Sequence, residues 1–551
     1  MNNLPRQLEV ISGAQGECLQ RVLALLPEAL LETRCVFWIT TAPGIAGALP
    51  AKKAHTLLGQ DTDIIVFDAH SGFDVNAFAA VSGTLRGGGT LYLLTPPLDE
   101  WADFPDPDYR RFIPYPYQPH EVRGRFLGRF VGMLKTLTPQ PPLPEVEGEQ
   151  GVGGRVQQQV AVEAILQANA PVVLTADRGR GKSAALGMAA SQLQVAGKRV
   201  LLTAPSRATV EGVFKHAELP PSFFAPDDLL QTLPEGDVLL VDEAAAIPVP
   251  LLLKMLEHYP RCVFSTTLHG YEGSGRGFAL RFQKALDTLA PGWLAVRLQQ
   301  PMRWAENDPL ERFINQALLL DADLAPFTPC GGRSAAFKRL GRVGDGGGAA
   351  TYRQLNRDEL AHNEPLLRQL FGLLITAHYQ TRPSDLRQLL DAPDISIHVL
   401  EQQGTLVAVA LLSREGGLDA QLTAAIHAGT RRPHGHPVPQ TLTFHAQLAG
   451  AAELICERVM RIAVHPLLQN QGLGAHLLEH LLGFAAQQGA GYLGVSYAMT
   501  PELLRFWERA GFITARIGHR KDTASGSRSV VQIRGLTTAG KQLCRLCNPP
   551  Q

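Results

Sequence analysis

The residues with the plainest chemical potential run from Ala176 to Ser183, Ala-Asp-Arg-Gly-Arg-Gly-Lys-Ser. A glycine-rich turn ending in Lys-Ser can wrap a row of phosphates. Gly179 and Gly181 let the backbone come close, Lys182 reaches the outer phosphates, and the Ser183 hydroxyl serves a Mg²⁺ ion. A second set is Asp237-Val-Leu-Leu-Val-Asp242-Glu243, an apolar run ending in two carboxylates. Asp242 suits the organisation of Mg²⁺, and Glu243 suits the polarisation of an attacking water. Together the two sets imply binding and hydrolysis of ATP or GTP.

Another chemistry is written further on, in Met460-Arg-Ile462-Ala463-Val464-His465-Pro466 followed by Gln469-Asn470-Gln471-Gly472-Leu473-Gly474-Ala475. Gln-x-x-Gly-x-Gly between a strand and a helix is the pyrophosphate cradle of GNAT-fold acetyltransferases, so acetyl-CoA is the expected ligand. The strand at Ile462 to Val464 would bond the pantetheine arm and supply N–H donors to the oxyanion. Acyl transfer to an amine also needs proton transfers. His445, His465 and Tyr497 are the polar candidates, unranked by sequence, and a strand-edge histidine is more often structural.

Elements of fitting type flank these residues. Pro171 to Thr175 reads as a strand before the phosphate loop, and Ala184 to Ala196 as the helix after it. Arg155 to Leu166 has helical spacing; Gln157 on it could read an adenine edge or simply be a polar helix face. Val263 to Thr267 ends in Ser-Thr-Thr, where helicase-like ATPases sense the γ-phosphate. The glycine-rich loop from His269 to Gly277 carries Arg276, and Arg303 follows in Pro-Met-Arg-Trp. Arg303 could neutralise the transferring phosphoryl group or form a plain ion pair. In the last third, Leu366 to Tyr379 reads as an amphipathic helix. Ser396 to Leu400 and Leu406 to Leu412 read as a hairpin around Gln403-Gly404, with Pro501 to Arg509 as a helix.

The N-terminal region alternates strands (Val36 to Thr40, Ile64 to Asp68, Thr90 to Leu94) with helical spacing, which implies a parallel sheet. Asp68 and Asp74 lack a phosphate-loop pattern, so a structural or docking domain is the expectation. Tyr109 to Phe112 and Arg123 to Arg129 mix aromatic and basic residues, which suits RNA or ordinary helix-surface arginines. Arg431-Arg-Pro-His-Gly-His436, and Gly518-His-Arg-Lys521 with Arg528, are basic clusters that could contact RNA phosphates or remain solvated.

The chain has 551 residues, 45% hydrophobic and 19% charged, with a formal net charge of zero and seven cysteines. That length implies about three or four domains. Zero net charge excludes a globally basic nucleic-acid binder and leaves only local patches. Scattered cysteines give no disulfide framework, and with no signal pattern or membrane-length apolar run the expected location is the cytoplasm, as a monomer. Cys544-Arg-Leu-Cys547 lacks a second pair for zinc and reads as reduced thiols.

Thr175 to Ser183, Asp242 to Pro248, His269 to Gly277, Pro301 to Trp304 with Asp308 to Glu311, and Arg461 to Pro466 occur together in one family. The chain resembles the bacterial tRNA(Met) cytidine acetyltransferases over nearly its whole length. The resemblance implies an α/β multidomain protein. It has a Rossmann-like N-terminal domain (1–138), a RecA/P-loop helicase-like ATPase (155–328), a GNAT domain (349–535) and a short tail (536–551). It implies N4-acetylation of the wobble cytidine in the anticodon loop of elongator tRNA(Met), with acetyl-CoA and ATP or GTP. By the family pattern, Gln157, Gly179, Arg180, Gly181, Lys182, Ser183, Ala184, Ala185, Leu186, Gly187, Met188 and Arg303 would contact ATP. Ile462 to Val464, Gln469 to Ala475, Glu502 and Arg509 would lie against acetyl-CoA. Longer family members carry a further C-terminal region that helps hold tRNA, so the short tail could mean a weaker grip on tRNA, a partner that supplies it, or a different acceptor. The rival readings are a protein lysine acetyltransferase regulated by its ATPase module, and an RNA-remodelling ATPase that senses acetyl-CoA.

Overall fold

In a computed structural model, which describes residues 4–27, 32–137, 152–267, 275–327, 350–377, 381–521 and 527–547, the short apolar runs pair into three sheets. The chain divides into two units. One holds Met1–Asp108, Phe126–Asp321 and Tyr379–Arg387; the other holds Tyr109–Arg125, Ala322–His378 and Gln388–Gln551. The N-terminal and ATPase regions, expected as separate domains, therefore fall in one unit. Among the described residues no helix is long and apolar enough to cross a membrane.

In the first unit, β1 (Gln7–Ser12), β2 (Val36–Ile39), β3 (Thr62–Asp68) and β4 (Leu85–Thr95) form a parallel sheet of order β1-β4-β3-β2. β1 was not foreseen, and β4 begins five residues before the expected Thr90, running through its three glycines. Helix α1 (Gln15–Leu25) buries Cys18 and Val22 on one face, and α2 (Val75–Ser82) is buried over most of its length. Asp74 caps α2 by accepting from the N–H of Asn76 and Ala77. Asp68 accepts from Gln15, Thr40, Ser71 and His70, which together hold its carboxyl down at about 2 against the opposing pull of burial. Both carboxylates thus serve local structure. Arg129, on α3 (Arg125–Thr136), is buried and donates to the carbonyls of Gln316 and Ala317.

The second sheet, β5 (Val172–Ala176), β6 (Val200–Thr203), β7 (Ser222–Phe224), β8 (Val238–Val241), β9 (Cys262–Thr267) and β10 (Leu294–Leu298), is also parallel, in the order β10-β5-β9-β8-β6-β7. Its four inner strands, β5, β9, β8 and β6, are buried on both faces, as apolar runs without alternation require, while the edge strands β10 and β7 are partly exposed. Helices α4 (Val152–Gln167) and α5 (Lys182–Val195) cover one face; α6 (Val249–His258) and α7 (Gly275–Leu289) cover the other. The order brings the phosphate-loop strand β5 and the carboxylate strand β8 to either side of β9. Helix α8 (Pro309–Leu318) follows, capped by Asp308 through the N–H of Glu311. Helix α4 begins at Val152. Residues 138–151 and 328–349 and the loop from His269 to Ser274 lie outside the described residues, as does the Arg276 side chain.

In the second unit, β11 (Thr351–Leu355), β12 (Ile395–Gln402), β13 (Thr405–Gly416), β14 (Ile455–Val464), β15 (Tyr492–Ala498), β16 (Ile513–Lys521) and β17 (Arg528–Gly535) make one sheet, ordered β11-β12-β13-β14-β15-β17-β16. Only β14 and β15 are parallel neighbours, and they pair only from Cys456↔Tyr492 to Val459↔Val495. Beyond that point β14 stays with β13 as far as Val464, while β15 stays with β17 as far as Ala498, so the two strands part. A bulge at Met460 opens the divergence: Leu411 faces Arg461 and Leu412 faces Val459, leaving Met460 without a counterpart. Helices α9 (Glu364–Ala377), α10 (Ala420–His427), α11 (Leu473–Gln487), α12 (Pro501–Arg509) and α13 (Thr538–Cys547) complete the unit. α11 and Trp507 of α12 pack on one face with Leu493 and Val495. Val438, Leu442 and Leu543 of α13 pack on the other, with Tyr492 and Val531. The segment expected as a tail thus continues the core of this unit. His398, wholly buried, lies between Tyr352 Oη (2.9 Å) and Ser396 Oγ (2.9 Å), and burial pushes it down to about 4.

Candidate functional site

The phosphate loop leaves β5 and enters α5 through Gly181, whose left-handed backbone (φ 80°) caps the helix. The first intrahelical bond runs from Ala185 N to Gly181 O (3.0 Å), so the earlier amides have no helical partner and point outward. Lys182 Nζ bonds Glu243 Oε1 (2.5 Å) and Thr267 Oγ1 (3.1 Å). Ser183 Oγ bonds Asp242 Oδ2 (3.1 Å), and Ser265 Oγ holds the other oxygen, Oδ1, at 2.8 Å. Glu243 takes a left-handed backbone (φ 49°), a strained conformation of the kind found at working sites. A hydroxyl beside a buried carboxylate is a hard-oxygen donor set that fits Mg²⁺. Of the following residues, Ala185, Leu186 and Gly187 are buried and Met188 packs on the same core, whereas Ala184 is partly exposed.

Three expected nucleotide contacts are engaged elsewhere. The Gln157 Oε1 accepts the N–H of Gln299 (3.0 Å) and Gln300 (3.1 Å), which fills both lone pairs and leaves only its NH₂ to meet a base. Its neighbour Gln158, not singled out from sequence, bonds Gly181 O (2.8 Å). Arg180 turns behind the loop to Glu311 (2.7 Å) and Gln299 O (2.9 Å). Arg303 meets Gly83 O (3.3 Å) and Asp61 (3.6 Å), the ion-pair alternative.

A buried brace lies behind the loop. Gly179 (φ 76°) abuts Trp304 so tightly that a Cβ would stand 2.5 Å from the indole ring. The indole donates to Glu311 (3.0 Å), and its other face carries the Arg6 guanidinium 3.6 Å from the ring centroid. Arg6 in turn pairs with Asp308 (2.9 Å) and donates to Ser82 O (2.8 Å). Burial pulls the guanidinium pKa down, with Asp308 opposing it. The capping pattern Asp308-Pro-Leu-Glu311 was the available sequence signal for part of this brace.

In the second unit, α11 starts at Gly472 (φ 87°), a backbone that favours glycine, and its first amides face outward beside the parted strands. Antiparallel pairing decides where the β14 groups point. His465 N donates to Val407 O (2.8 Å), so every second residue back faces β13, and Ile462 and Val464 turn their amides and carbonyls toward the gap. Gln469 Nε2 donates to Val464 O (3.2 Å), and Gln471 Nε2 to Leu467 O (3.2 Å). Asn470 (φ 62°) completes the turn, and Leu473 is buried. Gly474 touches Phe506, which sets α12 beside the N-terminus of α11; Glu502 and Arg509 are exposed on α12. Ala463 is buried and Ala475 exposed.

The three proton-transfer candidates differ. His465 is buried, accepts Leu467 N at Nδ1 (3.3 Å), which caps the turn after β14, and meets Ala325 O through Nε2 (3.3 Å), so no lone pair is left for a substrate. Tyr497 donates to Gln532 Oε1 (2.7 Å), and burial, helped by Glu508, raises its phenol to about 12. His445 is exposed; desolvation and then Arg516 and Arg432 lower its pKa below the usual histidine value. The basic cluster at 431–436 splits. His434 and His436 bond Ile113 O (2.8 Å) and Tyr115 O (2.7 Å), while Arg431 and Arg432 are exposed.

Comparison with known proteins gives three family matches. "tRNA(Met) cytidine acetyltransferase TmcA, N-terminal" matches residues 2–139, and "RNA cytidine acetyltransferase NAT10/TcmA, helicase domain" matches 173–321. "GNAT acetyltransferase 2" matches 369–491 and 485–537. Among similar proteins, the tRNA(Met) cytidine acetyltransferase TmcA of Nitrosococcus halophilus is 44% identical, over 98% of this chain and 76% of the relative. That of Vibrio cholerae is 38% identical over 88% of this chain and 67% of the relative; that of Haloferax volcanii is 35% identical over 98% and 77%. Likeness of this depth, running through both the phosphate loop and the coenzyme cradle, makes the chain a member of the tRNA(Met) cytidine acetyltransferase family.

Proposed function

We propose that this acetyltransferase moves the acetyl group of acetyl-CoA to N4 of the wobble cytidine of elongator tRNA(Met), and that hydrolysis of ATP or GTP accompanies the reaction. The observation that carries the reading is the pairing, in one chain, of a Lys-Ser phosphate loop facing Asp242 and Glu243 with a helix N-terminus beside parted parallel strands. The names of the relatives supply the acceptor class.

At the nucleotide site, Lys182 would exchange Glu243 for the outer phosphates, and Glu243, so released, would orient the attacking water. Ser183 and Asp242 would hold Mg²⁺, which neutralises phosphate charge. Thr267, bonded to the same lysine, would register the change at the end of β9.

At the acetyl site, the N4 nitrogen attacks the thioester carbonyl; the C–N bond forms, the C–S bond breaks, and the sulfur leaves as a thiolate that takes up a proton. The gap-facing amides of Ile462 and Val464 would bond the pantetheine and the developing oxyanion. The amides of Gly472, Leu473, Gly474 and Ala475 at the start of α11 would bind the pyrophosphate. Tyr497, raised to about 12, keeps its proton at neutral pH and supports a role in protonating the thiolate. His445, with its pKa lowered, is neutral there and supports a role in accepting the N4 proton. Its site is solvent-exposed, so a water can relay that proton.

The test is incubation of the purified chain with labelled acetyl-CoA, Mg²⁺, bulk tRNA and either ATP, GTP or no nucleotide, followed by nucleoside and peptide mass spectrometry. Labelled N4-acetylcytidine that requires a nucleotide is expected. Label on protein lysines, with none in RNA, overturns the reading.

A further inference from the structure

We infer that the acceptor nucleoside is received on the sheet face away from α11 and α12, where the ring of Phe444, beside His445, forms its platform and Arg432 and Arg516 hold its flanking phosphates. The inference rests on the acetyl-transfer reading above and extends it to residues that no coenzyme contact accounts for.

The first argument is access. The face with the coenzyme cradle is filled by α11 and α12, whose Leu473, Leu477 and Trp507 pack against Leu493 and Val495. A nucleophile must reach the thioester carbonyl through the gap between β14 and β15 from the other side. Alternation along β15 puts Ser496 on that other side, and Ser496 is exposed although β17 flanks its strand. The face is open there.

Second, a turn of distinctive build borders this opening. Residues Pro437–Gln440 form a helical turn that widens into a π-turn at Thr441–His445. Val438 and Leu442 are wholly buried, and Val438 sits against Gly494, two residues before Ser496 and on the same face. The π-turn, a form common at functional sites, then directs Phe444 and His445 outward. Phe444 is 42% exposed, with its ring backed by Gly429, where a Cβ would lie 2.7 Å away. The His445 ring stands 4.7 Å from it at 65°. One side of the phenyl is supported and much of the ring is left to solvent.

Third, cationic groups surround the rings. Arg516 and Arg432 both lie close enough to His445 to disfavour its protonation. Arg432 belongs to a loop held in place by the bonds of His434 and His436 to residues 113 and 115, and by Gly416 N to His436 Nδ1 (2.9 Å). At the same end of the sheet, Arg528 is exposed, and its carbonyl accepts Met499 N (2.8 Å) at the close of β15. Aromatic faces beside arginines on a fixed frame suit an unpaired base and its backbone, since every base has a π-face and every linkage a charge.

The decisive variant is Phe444→Leu, which keeps an apolar contact with Gly429 but removes the π-face. Acetylation kinetics with tRNA and binding of an anticodon stem-loop are measured beside the acetyl-CoA Kd. Phe444→Leu is expected to lower kcat/KM for tRNA by about 5- to 150-fold through KM, the range for one lost base stack, with the acetyl-CoA Kd unchanged. Phe444→Tyr should restore it. Arg432→Ala and Arg516→Ala should each lower the slope of log affinity against log salt by about one. If wild type makes N4-acetylcytidine and Phe444→Leu matches it in KM, the platform is refuted while the acetyl-transfer reading stands. If wild type neither binds the stem-loop nor acetylates RNA but labels lysines, both fall.

Discussion

Replacing Asp308 by Asn tests whether the brace behind the phosphate loop carries stability. Asp308 accepts from Arg6 N (2.7 Å), Nε (3.1 Å) and Nη2 (2.9 Å), and from Glu311 N (2.7 Å). The two side chains are 0% and 2% exposed, so water offers no substitute partner. Asparagine keeps the shape and a capping oxygen, which limits the loss at α8 to a few tenths of a kcal/mol, roughly the spread among good caps. The charge is lost, and the new NH₂ group meets donors. Arg6 is left buried with the Ser82 carbonyl and the Trp304 ring, an arrangement that costs about 3–5 kcal/mol when one partner of a buried pair is removed. Arg6→Met combined with Asp308→Leu leaves no orphaned charge and forfeits mainly the cap, about 1 kcal/mol, so the double variant should be more stable than Asp308→Asn. Because Trp304 touches both Arg6 and Gly179, the single substitution should also weaken nucleotide binding. Urea unfolding followed by tryptophan fluorescence, together with a nucleotide titration, reads both effects. An Asp308→Asn protein within about 1 kcal/mol of wild type, or a double variant as unstable as the single, would refute the reasoning.

Other expectations follow from the same geometry. Lys182→Ala should abolish ATP hydrolysis and depress acetylation while acetyl-CoA binding survives; full acetylation by this variant would break the proposed coupling. Tyr497→Phe should cut kcat by about 10²- to 10⁴-fold with little change in acetyl-CoA affinity, as loss of a proton donor does; an unaltered kcat in single-turnover assays removes Tyr497 from the chemistry. Gly472→Ala forces a side chain into left-handed backbone, so urea unfolding should show a stability loss of roughly 1–2 kcal/mol, and an unchanged midpoint would refute the strain. His398, held at about 4 against an ordinary 6.5, binds fewer protons folded than unfolded between those values. Stability should therefore fall as pH drops from 6.5 toward 4, by about 3 kcal/mol in all. His398→Gln should flatten that acid limb of the unfolding midpoint, and an unchanged limb would mean the histidine is not its source.

The site strands and loops were legible because their signals are local. An apolar run, a glycine turn and a helix sit side by side in sequence at both the phosphate loop and the coenzyme cradle. What escaped depends on distant partners. Gln157 and Arg180 have the types and positions of nucleotide ligands, yet the Gln299 and Gln300 backbone and Glu311 engage them, more than a hundred residues away. His465 is one of three unranked proton-transfer candidates in sequence, and only the Leu467 amide and the Ala325 carbonyl show how its two ring nitrogens are engaged. One long-range pair escaped for a related reason. Arg387, wholly buried, pairs with Asp106 (2.7 Å) and Asp108 (3.2 Å), which draws 379–387 into the first unit, and no local pattern announces such a pair. β1 was missed although Gln-Leu-Glu-Val-Ile-Ser alternates polar with apolar residues, because it is short and lies at a sheet edge, where burial is partial.

The surplus residue in β14 also acts as a parity switch. Val459 faces α11, and simple alternation would bring Arg461 and Ala463 to that side after it. With Met460 uncounted in the ladder, the parity reverses, and Ile462 and Val464 join Val459 against the α11 core. Deleting Met460 would keep Ile462 and Val464 on the α11 side, because the ladder already passes over it, but would remove the bulge that opens the divergence beyond Val459. The aperture thus depends on a single insertion, and a residue added without a compensating bulge would instead turn Arg461 toward the apolar wall.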